Sequence, residues 1–299
     1  MYLVEKSRLK IAVQKSGRLA ERSLDLLSKC GITLEKSKDQ LLCRAQNFPL
    51  DVLLVRDDDI PAFVSTDVCQ LGIVGENVLF EKQEISENNN FSKIEILIKL
   101  GFGNCRLSLA VPTEVNYSDQ TVLNGKTIAT SYQGLLRRYL QDQNIDAKIV
   151  TMRGAVEIAP KTQLAEVICD LVSTGSTLTS NGLKEVETIL HSQAVLIKNP
   201  EMPDELNKIC ERLATRMKAV MKAKNSRYIV LHAPIRSLDD IKAVLPGSES
   251  PTIIPLKGCD EQVAVHAVSE EEVFWNTMED LKTRGASSIL VLPIEKMMD

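Results

Sequence analysis

The chain of 299 residues alternates between two hydrophobic periods. Short apolar runs bounded by small or polar residues lie at Lys10–Gln14, Asp51–Val55, Leu71–Gly75, Ile94–Leu100, Cys105–Val111, Lys126–Thr130, Ala147–Met152 and Ile168–Leu171. Their length and flanking turns predict buried strands. Between them apolar residues recur at helical spacing. Leu19, Leu24, Leu27 and Cys30 mark one helix, stopped by Gly31, and Leu135, Leu136, Tyr139 and Leu140 mark another over Tyr132–Gln143, capped by Ser131. Val186–Lys198 reads as long extended chain. Pro203–Lys224 reads as one helix with Leu206, Ile209, Leu213, Met217 and Val220 on a single face. After it come a strand at Tyr228–Ala233, a helix at Leu238–Leu245 opened by a Ser237/Asp240 capping box, and strands at Thr252–Leu256 and Gln262–Val268. A helix opened by a Ser269/Glu272 box and closed by Gly285 leads to a last strand at Ser288–Leu292. That order, βαββαβ, predicts a ferredoxin-like unit.

Strands alternating with helices before the long helix imply a mostly parallel sheet in each of two lobes. The successive strands joined by Gly101-Phe102-Gly103-Asn104 mark a crossing between them, and Asn88-Asn89-Asn90 reads as a loop. Ligands of such sheets sit at the carboxyl ends of the strands, so the turns there are the candidate sites. Lys15-Ser16-Gly17-Arg18 is a basic glycine turn before a helix, a second candidate anion site, although taken alone it reads first as a simple turn with solvated Lys and Arg. Arg56 ends the next strand, where its rigid fork favours phosphate or carboxylate, while Asp57, Asp58 and Asp59 suit the positive end of the following helix. Gly75-Glu76 puts an acid in its turn, which fits hydrogen bonds to a base or ribose better than contact with phosphate. Tyr132, at a helix start, can stack on a nucleobase or simply pack.

The most informative turn follows Ile168-Cys169-Asp170-Leu171. Ser173-Thr174-Gly175-Ser176-Thr177 offers hydroxyls and a glycine at the start of a helical turn, where backbone N–H groups lack internal partners. Serine and threonine also cap helices with no ligand present. Asp170 just before the loop distinguishes the run, since an acid there can hold ribose hydroxyls beside a phosphate.

Composition narrows the partners. A hydrophobic content of 44% and a charged content of 25% are those of a globular chain with ample core. Net charge is −4, which disfavours nucleic acid. Seven cysteines in no close pairing argue against a disulfide framework and for a reducing cytoplasm. The three histidines, His191, His232 and His266, have no metal-site spacing. No signal-peptide core or membrane span is expected.

The stretch Glu157–Leu178 resembles the signature of the ATP phosphoribosyltransferase family. Glu157, Ala165, Ile168, Asp170, Leu171, Thr174, Gly175, Thr177 and Leu178 stand in register with it. Gln163 stands where the family has glycine, a place glutamine can occupy in a turn if φ is negative. The Gly-Arg turn after the first strand and the Arg56-Asp57-Asp58-Asp59-Ile60-Pro61 run also match, and the resemblance extends over essentially the whole chain.

The resemblance implies an α/β fold: a two-lobed, periplasmic-binding-protein-like catalytic region with a C-terminal ferredoxin-like regulatory domain. The first lobe would comprise 1–100 and 183–224, the second 101–182, and the regulatory histidine-binding domain 225–299. It implies transfer of the phosphoribosyl group of phosphoribosyl pyrophosphate to N1 of ATP, assisted by Mg²⁺ held through substrate oxygens with no protein ligand assigned. Asp170, Ser173, Thr174, Gly175, Ser176, Thr177 and Glu157 would face phosphoribosyl pyrophosphate. Lys15, Gly17, Arg18, Arg56, Gly75, Glu76 and Tyr132 would face ATP. No general base stands out, so catalysis would be positional. The long form of the family further implies feedback by L-histidine, a homo-hexamer in equilibrium with dimers, no separate regulatory subunit, and a cytoplasmic enzyme with no nucleic-acid or membrane partner. Two rivals are a phosphoribosyltransferase of the other common kind, which needs two adjacent acids where Cys169 occupies one place, and a non-catalytic small-ligand receptor.

Overall fold

The computed structural model describes residues 7–35, 41–86, 91–245, 250–269 and 275–298. The chain divides into two compact units, Met1–Glu211 and Arg212–Asp299. In the first, β1 (Leu9–Gln14) leads to α1 (Arg18–Lys29), then β2 (Leu42–Arg44), β3 (Leu50–Val55), α2 (Ile60–Ser65), β4 (Leu71–Gly75), α3 (Glu76–Ile85) and β5 (Glu95–Lys99). The chain then enters a second lobe with β6 (Cys105–Pro112), β7 (Thr127–Thr130), α4 (Gln133–Asp142), β8 (Lys148–Thr151), β9 (Val167–Val172), α5 (Ser176–Ser180) and β10 (Leu183–Ser192). It returns with β11 (Ala194–Lys198), and α6 (Asp204–Asn225) passes from the first unit into the second. The loop expected at Asn88-Asn89-Asn90 lies outside the described residues.

The two sheets run β2-β3-β1-β4-β11-β5 and β10-β6-β9-β7-β8. Each has a parallel trio, β3-β1-β4 with antiparallel strands on both sides and β9-β7-β8 with antiparallel strands on the β9 side only. The expectation of mostly parallel sheets therefore fails at the flanks. The strands next to the two crossings, β5, β6, β10 and β11, all pair antiparallel, because a chain that leaves one sheet and comes back arrives running the opposite way. The return to the first sheet also comes later than residue 183. Leu183 through Ser192 pair with β6, and the chain crosses at Gln193. Cores form on the sheet faces, with Ala12, Ile60, Val74 and Ile197 in the first lobe and Leu107, Leu136, Val167 and Ala129, Ile168, Leu178 on the two faces of the second.

Ser131 does not cap α4. Its hydroxyl donates to the Met152 carbonyl at 2.9 Å. The cap comes from the other lobe: the buried Glu81 carboxylate on α3 accepts from the N–H groups of Gly134 (2.8 Å) and Leu135 (2.9 Å). A carboxylate at this end of a helix satisfies orphan donors and meets the positive end of the dipole. Gly134 lets the helices meet, since a Cβ there would lie 2.7 Å from Ile85 Cγ2 and 2.9 Å from Glu84 Cβ.

The second unit holds β12 (Arg227–Pro234), α7 (Leu238–Val244), β13 (Thr252–Leu256), β14 (Cys259–Ser269), α8 (Trp275–Thr283) and β15 (Ser287–Pro293). Its sheet is antiparallel in the order β13-β14-β12-β15, which is the ferredoxin-like arrangement. Ile229, Leu231, Val265, Ile241 and Leu281 form its core. The Ser237/Asp240 capping box is not formed. A 3₁₀ turn at Ile235–Ser237 runs straight into α7, and Ser237 has φ −106° and ψ 8°, away from the extended geometry that a side-chain cap needs. The second expected box includes Glu272, outside the described residues. Gly285 does end its helix, at φ +94° with Ala286 N–H bonded to the Leu281 carbonyl. No helix among the described residues is long and apolar enough to cross a membrane.

Candidate active site

Strand register gathers the turns singled out by the sequence. Gln14 pairs with Val55, and Val13 with Ile73, so Lys15–Arg18, Arg56 and Gly75–Glu76 leave adjacent parallel strands at one edge, each about 5 Å from the next. In the second lobe Thr130 pairs with both Thr151 and Cys169, so Tyr132 and the loop after β9 leave the same edge of their sheet.

The loop and its surroundings line a cavity of about 280 Å³, formed by the run Asp170–Leu178 together with Glu157 and Arg18. Arg18 is the residue the first lobe contributes. Gly175 stands at φ +81° and ψ −4°, left-handed backbone that favours glycine. It precedes α5, whose N-cap is this glycine; the Thr174 hydroxyl accepts from the Ser176 N–H at 3.5 Å. The Thr174 and Ser176 hydroxyls lie 3.0 Å apart. Asp170 accepts from its neighbour's Leu171 N–H at 2.8 Å. Burial pushes the Asp170 carboxyl above the usual range, the Leu171 N–H opposes this, and the nearby Glu157 charge adds to it. Two carboxylates therefore face one cavity that also presents an arginine and hydroxyl donors. That set suits a phosphorylated ribose.

Glu157 sits on a 3₁₀ turn, Val156–Ile158, that packs on β9. The backbone continues to Gln163, and here the structure corrects the expectation of negative φ. Gln163 has φ +60°. Its N–H bonds to the Pro160 carbonyl, and Leu164 N–H reaches back to that of Ala159 at 3.0 Å. This is a Schellman closure with glutamine in the left-handed position that glycine usually takes.

The remaining expected residues are dispersed. Lys15 and Arg56 are exposed at neighbouring strand ends but do not line the cavity, and Gly17 has φ +95° at the entry to α1. Glu76 turns inward. It is buried, with Oε1 at 2.9 Å from Lys99 Nζ and Oε2 accepting from Gln193 N–H, so it ties the lobe crossing instead of facing a nucleotide. A Cβ on Gly75 would fall 2.3 Å from Asn77 Oδ1, so the glycine makes room for Asn77. Asn77 donates to the Tyr132 hydroxyl at 2.9 Å and exchanges bonds with Ser192. Tyr132 is thus fixed from the opposite lobe, and burial raises its phenol well above the ordinary value despite the Asn77 bond. Asn77 and Glu81 went unmarked in the sequence. They stand one turn apart on α3, but their partners lie 55 and 53 residues away, and no local pattern announces that.

Among the described residues, no group of three or more His, Cys, Asp or Glu is placed to hold a metal ion. The Asp170 and Glu157 carboxylates still fit a cation carried in by a substrate, because the Glu157 charge raises the cost of the Asp170 charge in a partly buried place.

A family model described as ATP phosphoribosyltransferase matches residues 56–219, and one described as the HisG C-terminal domain matches residues 223–296. Among solved structures, the ATP phosphoribosyl transferase (HisG:HisZ) complex from Thermotoga maritima is similar at 26% identity and a TM-score of 0.58, covering 70% of this chain and 98% of that one. The alkanesulfonate-binding protein SsuA from Xanthomonas axonopodis pv. citri, bound to MOPS, is similar at 13% identity and a TM-score of 0.47, covering 72% and 73%.

Proposed function

The chain belongs to the ATP phosphoribosyltransferase family, pentosyltransferases of the first step of histidine biosynthesis, and from that premise we propose the reaction of its cleft: phosphoribosyl transfer from phosphoribosyl pyrophosphate to N1 of ATP. The observation that carries this reading is the single cavity shared by Asp170, Glu157, the hydroxyl-rich loop 173–177 and Arg18 of the opposite lobe. Loop N–H groups and hydroxyls hold the ribose 5-phosphate. Asp170 accepts from the ribose hydroxyls, with Glu157 beside it. Lys15, Arg18 and Arg56 meet polyphosphate, and Tyr132 borders the nucleotide. The bond from the anomeric carbon to pyrophosphate oxygen breaks, its electron pair leaves with pyrophosphate, and the N1 lone pair of ATP forms the new bond. The ribose gains cationic character on the way, which ionised Asp170 and Glu157 favour. Asp170 and Glu157 would face a Mg²⁺ ion carried in on substrate oxygens and water, which would supply neutralisation of charge on the leaving pyrophosphate. The rest is orientation of two substrates between two lobes.

The match of residues 223–296 to the HisG C-terminal domain supports a regulatory tail. In this reading L-histidine binds there and favours a less active homo-hexamer over dimers, with a coupling free energy of about 1–3 kcal/mol. The tail makes a separate regulatory subunit unnecessary, and the enzyme works in the cytoplasm. A coupled pyrophosphate-release assay, with ATP and phosphoribosyl pyrophosphate each omitted in turn, tests the reaction. Release is expected only with both present. Stabilisation by phosphoribosyl pyrophosphate with no release on adding ATP would favour a non-catalytic receptor instead.

A further inference from the structure

We infer that Arg106, on β6 and outside the cavity, is a positioning residue that holds the phosphate loop from behind through the Ser173 carbonyl. The inference rests on the phosphate-binding reading of loop 173–177. Arg106 Nη1 donates to the Ser173 carbonyl at 3.3 Å, while Nε and Nη2 form a two-pronged bridge to the Glu185 carboxylate on β10. Glu185 is itself held. Ser108 Oγ, almost wholly buried, donates to its Oε1 at 2.7 Å, and Thr188 Oγ1 lies 3.4 Å from the same oxygen. The Arg106 bond and these hydroxyls keep the Glu185 carboxyl below the usual range. The strand register of β10 on β6 shifts between Glu185 and Glu187, beside this bridge.

Register fixes where this anchor acts. Arg106 pairs with Val172 and Ser108 with Asp170, so the anchor shares a sheet face with the acid of the cavity. The peptide after Ser173 is planar and trans, so its carbonyl and the Thr174 N–H point in opposite directions. Thr174 lines the cavity and Arg106 does not. Tying the carbonyl to Arg106 therefore fixes the orientation of the first loop N–H before any ligand arrives. Lysine in place of Arg106 keeps the charge but has one nitrogen, and cannot hold a carboxylate by two bonds and a carbonyl at once.

The test is steady-state kinetics on the intact enzyme, with thermal melts alongside. Arg106→Lys should raise KM for phosphoribosyl pyrophosphate about tenfold, as expected for loss of one charge-assisted hydrogen bond's worth of loop order. KM for ATP, kcat and the melting temperature should stay close to wild type. Glu185→Gln should give the same split, and the double variant should be no worse than either single, because both act through one bridge. Unchanged KM values in Arg106→Lys, or equal increases for both substrates, overturn the assignment. Wild-type enzyme that releases no pyrophosphate from the two substrates would overturn the functional reading itself, and this inference with it.

Discussion

Asp170 is raised first by burial and then by Glu157, with only the Leu171 N–H pulling the other way. A carboxyl whose folded pKa exceeds its unfolded value near 3.9 favours folding most when protonated. That contribution is complete below the unfolded pKa and is lost as pH rises through the folded one, so ionised Asp170 opposes folding at neutral pH. Asp170→Asn should therefore raise the melting temperature of the free protein at pH 7, with the gain disappearing below about pH 4, while phosphoribosyl transfer is lost. A melt series across pH beside activity assays checks both halves. Gln163 gives a second test. Its left-handed φ of +60° costs an L-residue roughly 1–2 kcal/mol, against a smaller entropic cost for glycine, so Gln163→Gly should stabilise by about 1 kcal/mol in chemical denaturation. The loop 173–177 and Asp170 were legible because their chemistry is contiguous in the chain. The φ of Gln163 was not, since a side chain alone does not say which well its backbone takes.

Elements were legible where one period persisted. Most strands and helices around the cleft lie within a residue or two of their expected bounds, though the run expected at Val186–Lys198 is two strands beginning at Leu183 and β2 was not expected, and the βαββαβ tail pairs as a ferredoxin-like sheet. What failed was the joining of elements. Ser131 and Ser237 look like caps by type, yet tertiary partners or a preceding 3₁₀ turn took over, and strand direction at the sheet flanks followed the lobe crossings. The contact of α3 with α4 is the sharpest case. Gly134→Ala would press a methyl into Ile85 and Glu84 and should cost about 1–3 kcal/mol, visible as a lower denaturation midpoint with unchanged slope. A neutral result would mean that the helices can separate without loss.

At the scale of the whole molecule, the boundary between units falls inside α6, at Glu211/Arg212, earlier than the expected break at 224/225. Met297 N–H bonds to the Ala219 carbonyl, so the end of the chain uses the second half of this helix. A tail fragment beginning at Arg212 should fold and bind histidine, whereas one beginning after Lys224 lacks part of its own packing. Enzyme truncated after Lys224 should lose inhibition by histidine. Histidine titration of the fragment and competition kinetics on the intact chain decide this, and direct competition with either substrate, with no binding to the tail, would refute it. The cross-lobe cap on α4 has a consequence of another kind. The Gly134 and Leu135 amides are sheltered by a carboxylate 53 and 54 positions earlier in the chain, so their protons can exchange with solvent only when the lobes part or the chain unfolds locally. These two amides therefore form a built-in clock for domain breathing: deuterium uptake at this single turn, followed with and without substrates, times how often the cleft opens.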